Sequence, residues 1–303
     1  MEMNRRQRNL IIFTDLDGTL LDDQDYGWTA ARPALRALTR AHCPMVIVTS
    51  KTRAEVEPIL LALGRREPFV VENGGAVYIP VGYFSFIPEG AVQERGGWYK
   101  VVLGTPRPRL VKKLTLAARR AKVQVRGFSQ MPAREVAERT GLPLADARRA
   151  LRRHYDEPFV ILNETTQAWS RLREEIESQG FATTRGSRFF HITGRTNKGA
   201  AVARLVGWLR RAHGGNSRTV GLGDCPNDIP LLKAVDQPIL VARPGKRYDA
   251  ETLAAVPRAR RAGGVGPAGW NRAVLRLCGL FESPAGLAQT FRSPANQKTG
   301  RTS

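Results

Sequence analysis

Asp15-Leu16-Asp17-Gly18-Thr19 places two carboxylates two residues apart directly after an apolar run. Acids at i and i+2 leaving a strand can converge on one cation, one through its side chain and the other through its main-chain carbonyl. Gly18 permits the sharp turn this requires. Gly223-Asp224-Cys225-Pro226-Asn227-Asp228 supplies two more acids, again after an apolar run. Mg2+ takes a few carboxylates together with water and phosphate oxygens, so the two loops can form an all-oxygen Mg2+ site; a calcium loop would draw more ligands from one continuous segment. Thr49-Ser50-Lys51-Thr52 combines hydroxyls, a cation and a helix start in one loop, a setting for an oxyanion. Asn197-Lys198-Gly199 sets a lysine where its own charge and the positive end of a helix can meet a phosphate together. Each pattern alone also fits a loop cap, an N-cap cluster or a solvated lysine. Four of them in order, each at a strand end or helix start, point to metal-assisted phosphate chemistry.

The elements that must position these residues are visible in the hydrophobic pattern. Residues 9–14 and 45–49 are continuous apolar runs, as expected of parallel strands buried on both faces. Between them 30–41 reads as a helix with Pro33 in its first turn. Thr52 and Glu55 have capping-box spacing and open a second helix towards Gly64, in which Pro58 predicts a kink or a later start. Residues 69–71 form a further strand ending at Glu72-Asn73-Gly74-Gly75. The middle of the chain changes character after Gly96-Gly97: helices over 110–121, 135–139, 145–153 and 167–178, and strands over 159–162, 181–184 and 189–192, without strict alternation. The first pattern returns with a helix from Lys198 to about 212, strands over 219–222 and 238–241, and a helix over 229–234. The fold expected is α/β: a Rossmann-like parallel-sheet core from residues 1–84 and 190–281, interrupted by an α+β cap over 85–189. Residues 282–303 read as a disordered basic tail.

The chain has 303 residues and a net charge of +21, from 48 Lys and Arg against 27 Asp and Glu. That charge alone would favour an RNA-binding protein. It is unevenly placed: residues 1–84 are neutral, 85–190 carry +9 and 191–303 carry +12, so the first acidic motif lies in the neutral part. Aromatic residues make up only 7% of the chain, where a single-strand nucleic-acid surface would interleave them with the basic groups. No nucleic-acid partner is therefore expected. Cys43, Cys225 and Cys278 show no paired metal-ligand spacing, which indicates reduced thiols and a cytoplasmic setting. The apolar run near the N-terminus is too short for a signal peptide or a membrane span.

In order and spacing the four motifs resemble those of the haloacid-dehalogenase-like phosphatases: DxDxT at Asp15–Thr19, the strand-end Thr49, Lys198, and GDxxND at Gly223–Asp228. The insert between the second and third motifs resembles the subclass with an α/β cap at that point. Further segments are similar to mannosyl-3-phosphoglycerate phosphatases: Val48 to Arg53, Glu72 to Gly75, Gly127-Phe128, Thr140 to Leu142, Glu157 to Phe159, Gly186 to His191 and Gly266 to Asn271. This resemblance implies hydrolysis of mannosyl-3-phosphoglycerate, a phosphorylated glycosylglycerate, to mannosylglycerate and phosphate. Glucosyl-3-phosphoglycerate, or sugar phosphates generally, are the alternatives within the same fold.

The resemblance also implies roles. Asp15 is the nucleophile, and Asp17 the acid and then the base. Mg2+ is held by Asp15, the Asp17 carbonyl and Asp224. Thr49, Ser50 and Lys198 hold phosphate, and Asn227 and Asp228 support the metal or Lys198. For the leaving group the candidates are Lys51, Asn73, Gly74, Arg188 and His191. Cys225, where the family often has Ser, implies sensitivity to oxidation.

Overall fold

The computed structural model describes residues 10–186, 188–213, 215 and 217–279; the expected tail lies outside them. Among these residues the strands form a nine-stranded sheet and a four-stranded sheet. Across the large sheet the order is Arg260–Val265, Gln237–Ala242, Arg218–Gly223, Leu10–Thr14, Met45–Val48, Phe69–Val71, Ala76–Pro80, Trp98–Val102 and Ala91–Glu94. The first six are parallel and the last three antiparallel. From Leu10–Thr14 the chain moves outward in one direction through Met45–Val48, and after the insert it returns to build the other side through Arg218–Gly223. The reversal puts a topological switch point between Leu10–Thr14 and Arg218–Gly223, where an open parallel sheet leaves a crevice at the carboxyl ends of its strands.

The continuous apolar runs are explained by burial on both faces. Leu10 and Ile12 pack with Leu38 and Trp270 on one side, and Ile11 and Phe13 with Val202 and Leu205 on the other. At about 2 kcal/mol per buried aliphatic side chain, this alternation fixes the register of the central strand and hence the position of Asp15. The helix Arg53–Ala62 opens with the expected capping box on Thr52 and Glu55 and runs unbroken through Pro58. The Gly266-to-Asn271 segment is structural. Trp270 is fully buried and its Nε1 donates to Thr14 Oγ1 at 3.0 Å, while Asn271 Oδ1 accepts the Ala34 N–H at 2.9 Å.

The four-stranded sheet runs Val125–Gly127, Glu157–Ile161, Phe190–Thr193, Ala182–Arg185, all antiparallel, with the helices Arg107–Ala121 and Thr166–Ser178 packed against it. The insert boundaries expected at 85 and 189 need correction. Ala91–Glu94 and Trp98–Val102 form a hairpin that extends the large sheet, and Gly96-Gly97 is its turn, both residues at positive φ. The small sheet in turn keeps Phe190–Thr193. The sheet changes from parallel to antiparallel at the turn 72–75, and Gly96-Gly97 continues the antiparallel part of that sheet instead of opening a new one.

Candidate active site

Four loops at the carboxyl ends of parallel strands meet at the switch point. Asp15 leaves Leu10–Thr14 with its N–H on Leu222 O at 2.9 Å, so the two acidic loops are tied together by main chain. Gly18, at φ +72°, lies against the second loop, where a Cβ would come 2.9 Å from Asp224 Oδ2. Thr19 Oγ1 donates to Asp224 Oδ1 at 3.1 Å. Lys198, 1% exposed at the start of the helix Lys198–His213, places Nζ 2.8 Å from Asp15 Oδ1 and 2.6 Å from Asp228 Oδ1. The other Asp228 oxygen accepts the main-chain N–H groups of Asp224 and Cys225 at 3.0 and 3.3 Å.

The electrostatics follow from crowding. Burial pushes the Asp15 carboxyl up to about 7, the Asp228 charge adds to this, and Lys198 opposes it. Burial, then Asp228 and Asp15, hold the Asp224 carboxyl well above its ordinary value. Burial works against the charge on Lys198, but Asp15 and Asp228 outweigh it and keep the ammonium protonated. Three buried acids share one buried lysine, with Arg243 Nε 3.7 Å from Asp224 Oδ2, so the set holds more carboxylates than cations. Lys198 takes one oxygen of Asp15, and Asp224 stands over the Gly18 cradle. This set of clustered carboxylate oxygens fits a hard divalent cation, whose charge would in turn favour their ionised form.

The other expected residues divide into those facing the same cavity and those that do not. Asp15, Asp17, Ser50, Lys51, Arg188 and His191 line a cavity of about 90 Å³ between the two sheets. Asn227 joins them, and Cys225 Sγ donates to its Oδ1 at 3.1 Å. Lys51 Nζ is 2.9 Å from Asp17 Oδ1 and 3.8 Å from Glu55 Oε1, over the Tyr26 ring. Burial disfavours the Lys51 charge, yet Asp17 and Glu55 hold its affinity for a proton above the ordinary lysine value. Thr49 is fully buried, and its Oγ1 accepts the Lys51 N–H at 3.1 Å. Arg188 donates to Tyr26 Oη at 2.7 Å, to Asp23 O at 2.5 Å and to Thr140 O. Its guanidinium thus clasps the insert to the loop after the first motif.

Asn73, at φ +56°, is buried with Nδ2 donating to Asp156 Oδ2 at 3.2 Å. His191 Nδ1 is 2.8 Å from the same oxygen. Gly74 serves packing: a Cβ there would lie 2.2 Å from Asn197 O, so glycine lets the turn seat the start of the Lys198 helix. Cys225 corrects another expectation. It is 5% exposed, and burial with the charges of Asp224 and Asp228 pushes its thiol well up, the opposite of a reactive thiolate.

Three residues that the structure brings to the site were given no role from the sequence. Arg153 lines the cavity and donates from Nη1 to Ser50 O at 2.9 Å and to Asp156 Oδ2 at 3.0 Å. Asp156, fully buried, thereby gathers Asn73, Arg153 and His191 on one oxygen. Glu72 accepts the N–H groups of His154 and Tyr155 at 2.8 and 2.6 Å. The available signal was Glu72 beside Asn73 and the acid–proline step at Glu157-Pro158, but neither identifies a partner.

Comparison with known proteins agrees with this architecture. A family model described as haloacid dehalogenase-like hydrolase matches residues 12–84. A glucosyl-3-phosphoglycerate/mannosyl-3-phosphoglycerate phosphatase from Methanococcoides burtonii is 40% identical over 269 residues, covering 89% of this chain and 97% of that protein. A protein of the same name from Persephonella marina is 38% identical over 277 residues, covering 90% and 98%. Among solved structures, a haloalkanoate dehalogenase-superfamily phosphatase from Bacteroides thetaiotaomicron matches with a TM-score of 0.62 at 15% identity, over 93% of this chain and 99% of that one. The sucrose-phosphatase from Synechocystis matches with a TM-score of 0.56 at 16% identity, over 89% and 98%. The last two support the fold alone.

Proposed function

Because the chain belongs to the glucosyl-3-phosphoglycerate/mannosyl-3-phosphoglycerate phosphatase family of haloacid dehalogenase-like hydrolases, we propose that it is a phosphomonoesterase cleaving mannosyl-3-phosphoglycerate, and its glucosyl analogue, to the glycosylglycerate and phosphate. The observation that carries the substrate is that the likeness spans insert and core alike. The core loops meet only the phosphate, so recognition of the leaving group must come from the insert.

Asp15 is the nucleophile. Its main-chain position is set by the bond to Leu222, and Lys198 holds one carboxylate oxygen, directing the other towards phosphorus. Attack forms a bond from Asp15 to phosphorus and breaks the bond to the 3-oxygen of the glycerate. Asp17 protonates that oxygen as it leaves and, then ionised, takes a proton from the water that hydrolyses the aspartyl-phosphate. Lys51, 2.9 Å from Asp17, orients this carboxyl. Lys198 and the main chain around Thr49 and Ser50 hold the equatorial oxygens, and Asp228 keeps Lys198 in place. Asp15, Asp224 and the Asp17 carbonyl would hold Mg2+, which offsets the repulsion between a carboxylate nucleophile and a phosphate dianion. Asn227 supports that group of ligands. A cytoplasmic setting belongs to the same reading; among the described residues no helix is long and apolar enough to cross a membrane.

Phosphate release with Mg2+ from a panel of phosphorylated small molecules tests this. Both glycosyl-3-phosphoglycerates are expected to exceed glucose 6-phosphate in kcat/KM by about a hundredfold, the discrimination polar contacts to a carboxylate and sugar can supply. A preference for glucose 6-phosphate would overturn the assignment.

A further inference from the structure

Arg153 was expected only as the end of a helix. The helix instead stops at Ala150, and Arg153 turns inward from the segment 151–156 that leads to the strand Glu157–Ile161. Although this segment belongs to the insert, core residues fasten it. Thr52 Oγ1 donates to Arg149 O at 3.0 Å, Arg153 itself reaches Ser50 O, and Glu72 receives His154 and Tyr155. Arg153 is therefore positioned relative to the strand-end loops that carry Asp17 and Ser50.

Three cationic side chains line the cavity: Lys51, Arg153 and Arg188. Lys51 sits between Asp17 and Glu55, and Arg188 is engaged by Asp23, Tyr26 and Thr140. Arg153 differs. Its side chain is 5% exposed, both of its hydrogen bonds leave from Nη1, and its buried Nε has no partner. A buried donor on a charged group without an acceptor is costly, and an arginine's planar fork matches a carboxylate through two parallel N–H bonds. The phosphate already has Lys198 beside Asp15.

We propose that Arg153 selects the substrate by its carboxylate, with Asp156 as the residue that positions the guanidinium. This rests on the glycosyl-3-phosphoglycerate reading above. It explains how a family fold that handles many phosphate esters prefers one whose leaving group is an acid.

The test compares three substrates: glycosyl-3-phosphoglycerate, the same compound with its carboxylate converted to a carboxamide, and p-nitrophenyl phosphate. Arg153→Gln is expected to lower kcat/KM for the first by about 30-fold or more, since a site built for a charged partner loses most when that pairing goes. Turnover of p-nitrophenyl phosphate, which lacks the carboxylate, falls at least about tenfold less than this, and so does turnover of the carboxamide, poor with the wild type. An equal fall on all three substrates would overturn the proposal in favour of a phosphate clamp or a structural role. So would a wild type that cleaves carboxamide and carboxylate alike. Arg153→Lys, which keeps the charge and loses the fork, shows a smaller fall that is again greatest for the carboxylate substrate if the glutamine variant does not fold. If the wild type cleaves p-nitrophenyl phosphate but neither glycosyl compound, the substrate reading fails. Inhibition by 3-phosphoglycerate against glycerol 3-phosphate then decides: a difference in the wild type that Arg153→Gln erases supports Arg153 as the carboxylate residue, and equal inhibition overturns it.

Discussion

At one wall of the cleft a single cation joins two carboxylates, Lys198 between Asp15 and Asp228 at 2.8 and 2.6 Å. At the other wall a single carboxylate joins three donors, Asp156 receiving Asn73, Arg153 and His191 at 3.2, 3.0 and 2.8 Å. The first wall holds more carboxylates than cations and calls for a cation; in the second the buried Nε of Arg153 lacks an acceptor while Asp156 Oδ1 and Asn73 Oδ1 lack donors, which calls for a ligand carrying both an anion and hydroxyl groups. A substrate with a phosphate at one end and a carboxylate at the other answers both. The walls also differ in origin. The first is built from strand ends fixed by a sheet buried on both faces, the second from a turn at positive φ and a loop outside the helices and strands.

This contrast is broken most completely by Asp15→Asn. Chemistry shared by all substrates should fall by ~10^4-fold or more in kcat, about 5.5 kcal/mol, for glycosyl-3-phosphoglycerate and p-nitrophenyl phosphate alike. Folding should not suffer, because burial and Asp228 already disfavour the charge that the substitution removes. Steady-state kinetics with a thermal melt checks both, and appreciable residual turnover would exclude Asp15 as nucleophile. Lys198→Met tests the same wall from its other side. Removing one partner of a buried pair leaves Asp15 and Asp228 facing each other, and denaturant titration should show a loss of about 3–5 kcal/mol. A loss below 1 kcal/mol would mean that the two carboxylates are not charged together in the folded protein.

The residues of the first wall could be read from the sequence, and of the second Asn73 and His191 were also named there, whereas Arg153 and Asp156 were not, for a physical reason. Asp15, Asp224 and Lys198 each follow a buried strand or open a helix, so the periodicity that predicts the element also predicts where the side chain emerges. Arg153 and Asp156 lie between a short helix and a strand, in one of many arginine-rich stretches, and their partners Asn73 and Ser50 are some 80 to 100 residues away. Charge counts placed an excess of arginine in this part of the chain without distinguishing the buried residue from the solvated ones. Gly74 and Cys225 were read by motif alone. Their roles, packing on Asn197 and a protonated thiol, depend on neighbours from other elements.

Glu72 joins the turn of the second wall to its loop and offers a pH-dependent way to weaken that joint. It is 1% exposed, and burial pushes its carboxyl up to about 7 from an ordinary 4.5, with Arg153 and the two N–H groups opposing. A carboxyl raised on folding contributes its full stability below the unfolded value and loses it as pH climbs through the folded one. Relative to Glu72→Gln, which keeps an acceptor for both N–H groups and cannot ionise, the wild type should therefore lose roughly 2 to 3 kcal/mol between pH 5 and pH 8. Urea unfolding of both proteins at the two pH values measures this. A difference independent of pH would show that Glu72 is ionised throughout.

The smallest expected effect concerns Arg188, which the sequence reading assigned to the substrate and the structure engages in a clasp. Its side chain is 31% exposed and ties Asp23 and Tyr26 of the core to Thr140 of the insert at the cavity mouth. A partly solvated contact of this kind contributes modestly. Arg188→Met should raise KM about 3- to 10-fold and leave kcat within twofold, for carboxylate and carboxamide substrates equally. Tyr26→Phe removes one acceptor of the clasp without touching the guanidinium and should shift KM in the same direction by less. If Arg188 instead holds the substrate carboxylate, Tyr26→Phe would be silent, and Arg188→Met would cost the carboxylate substrate alone. That outcome would move the anion-selecting role from Arg153 to the mouth of the cleft and dissolve the division between a phosphate wall and a carboxylate wall.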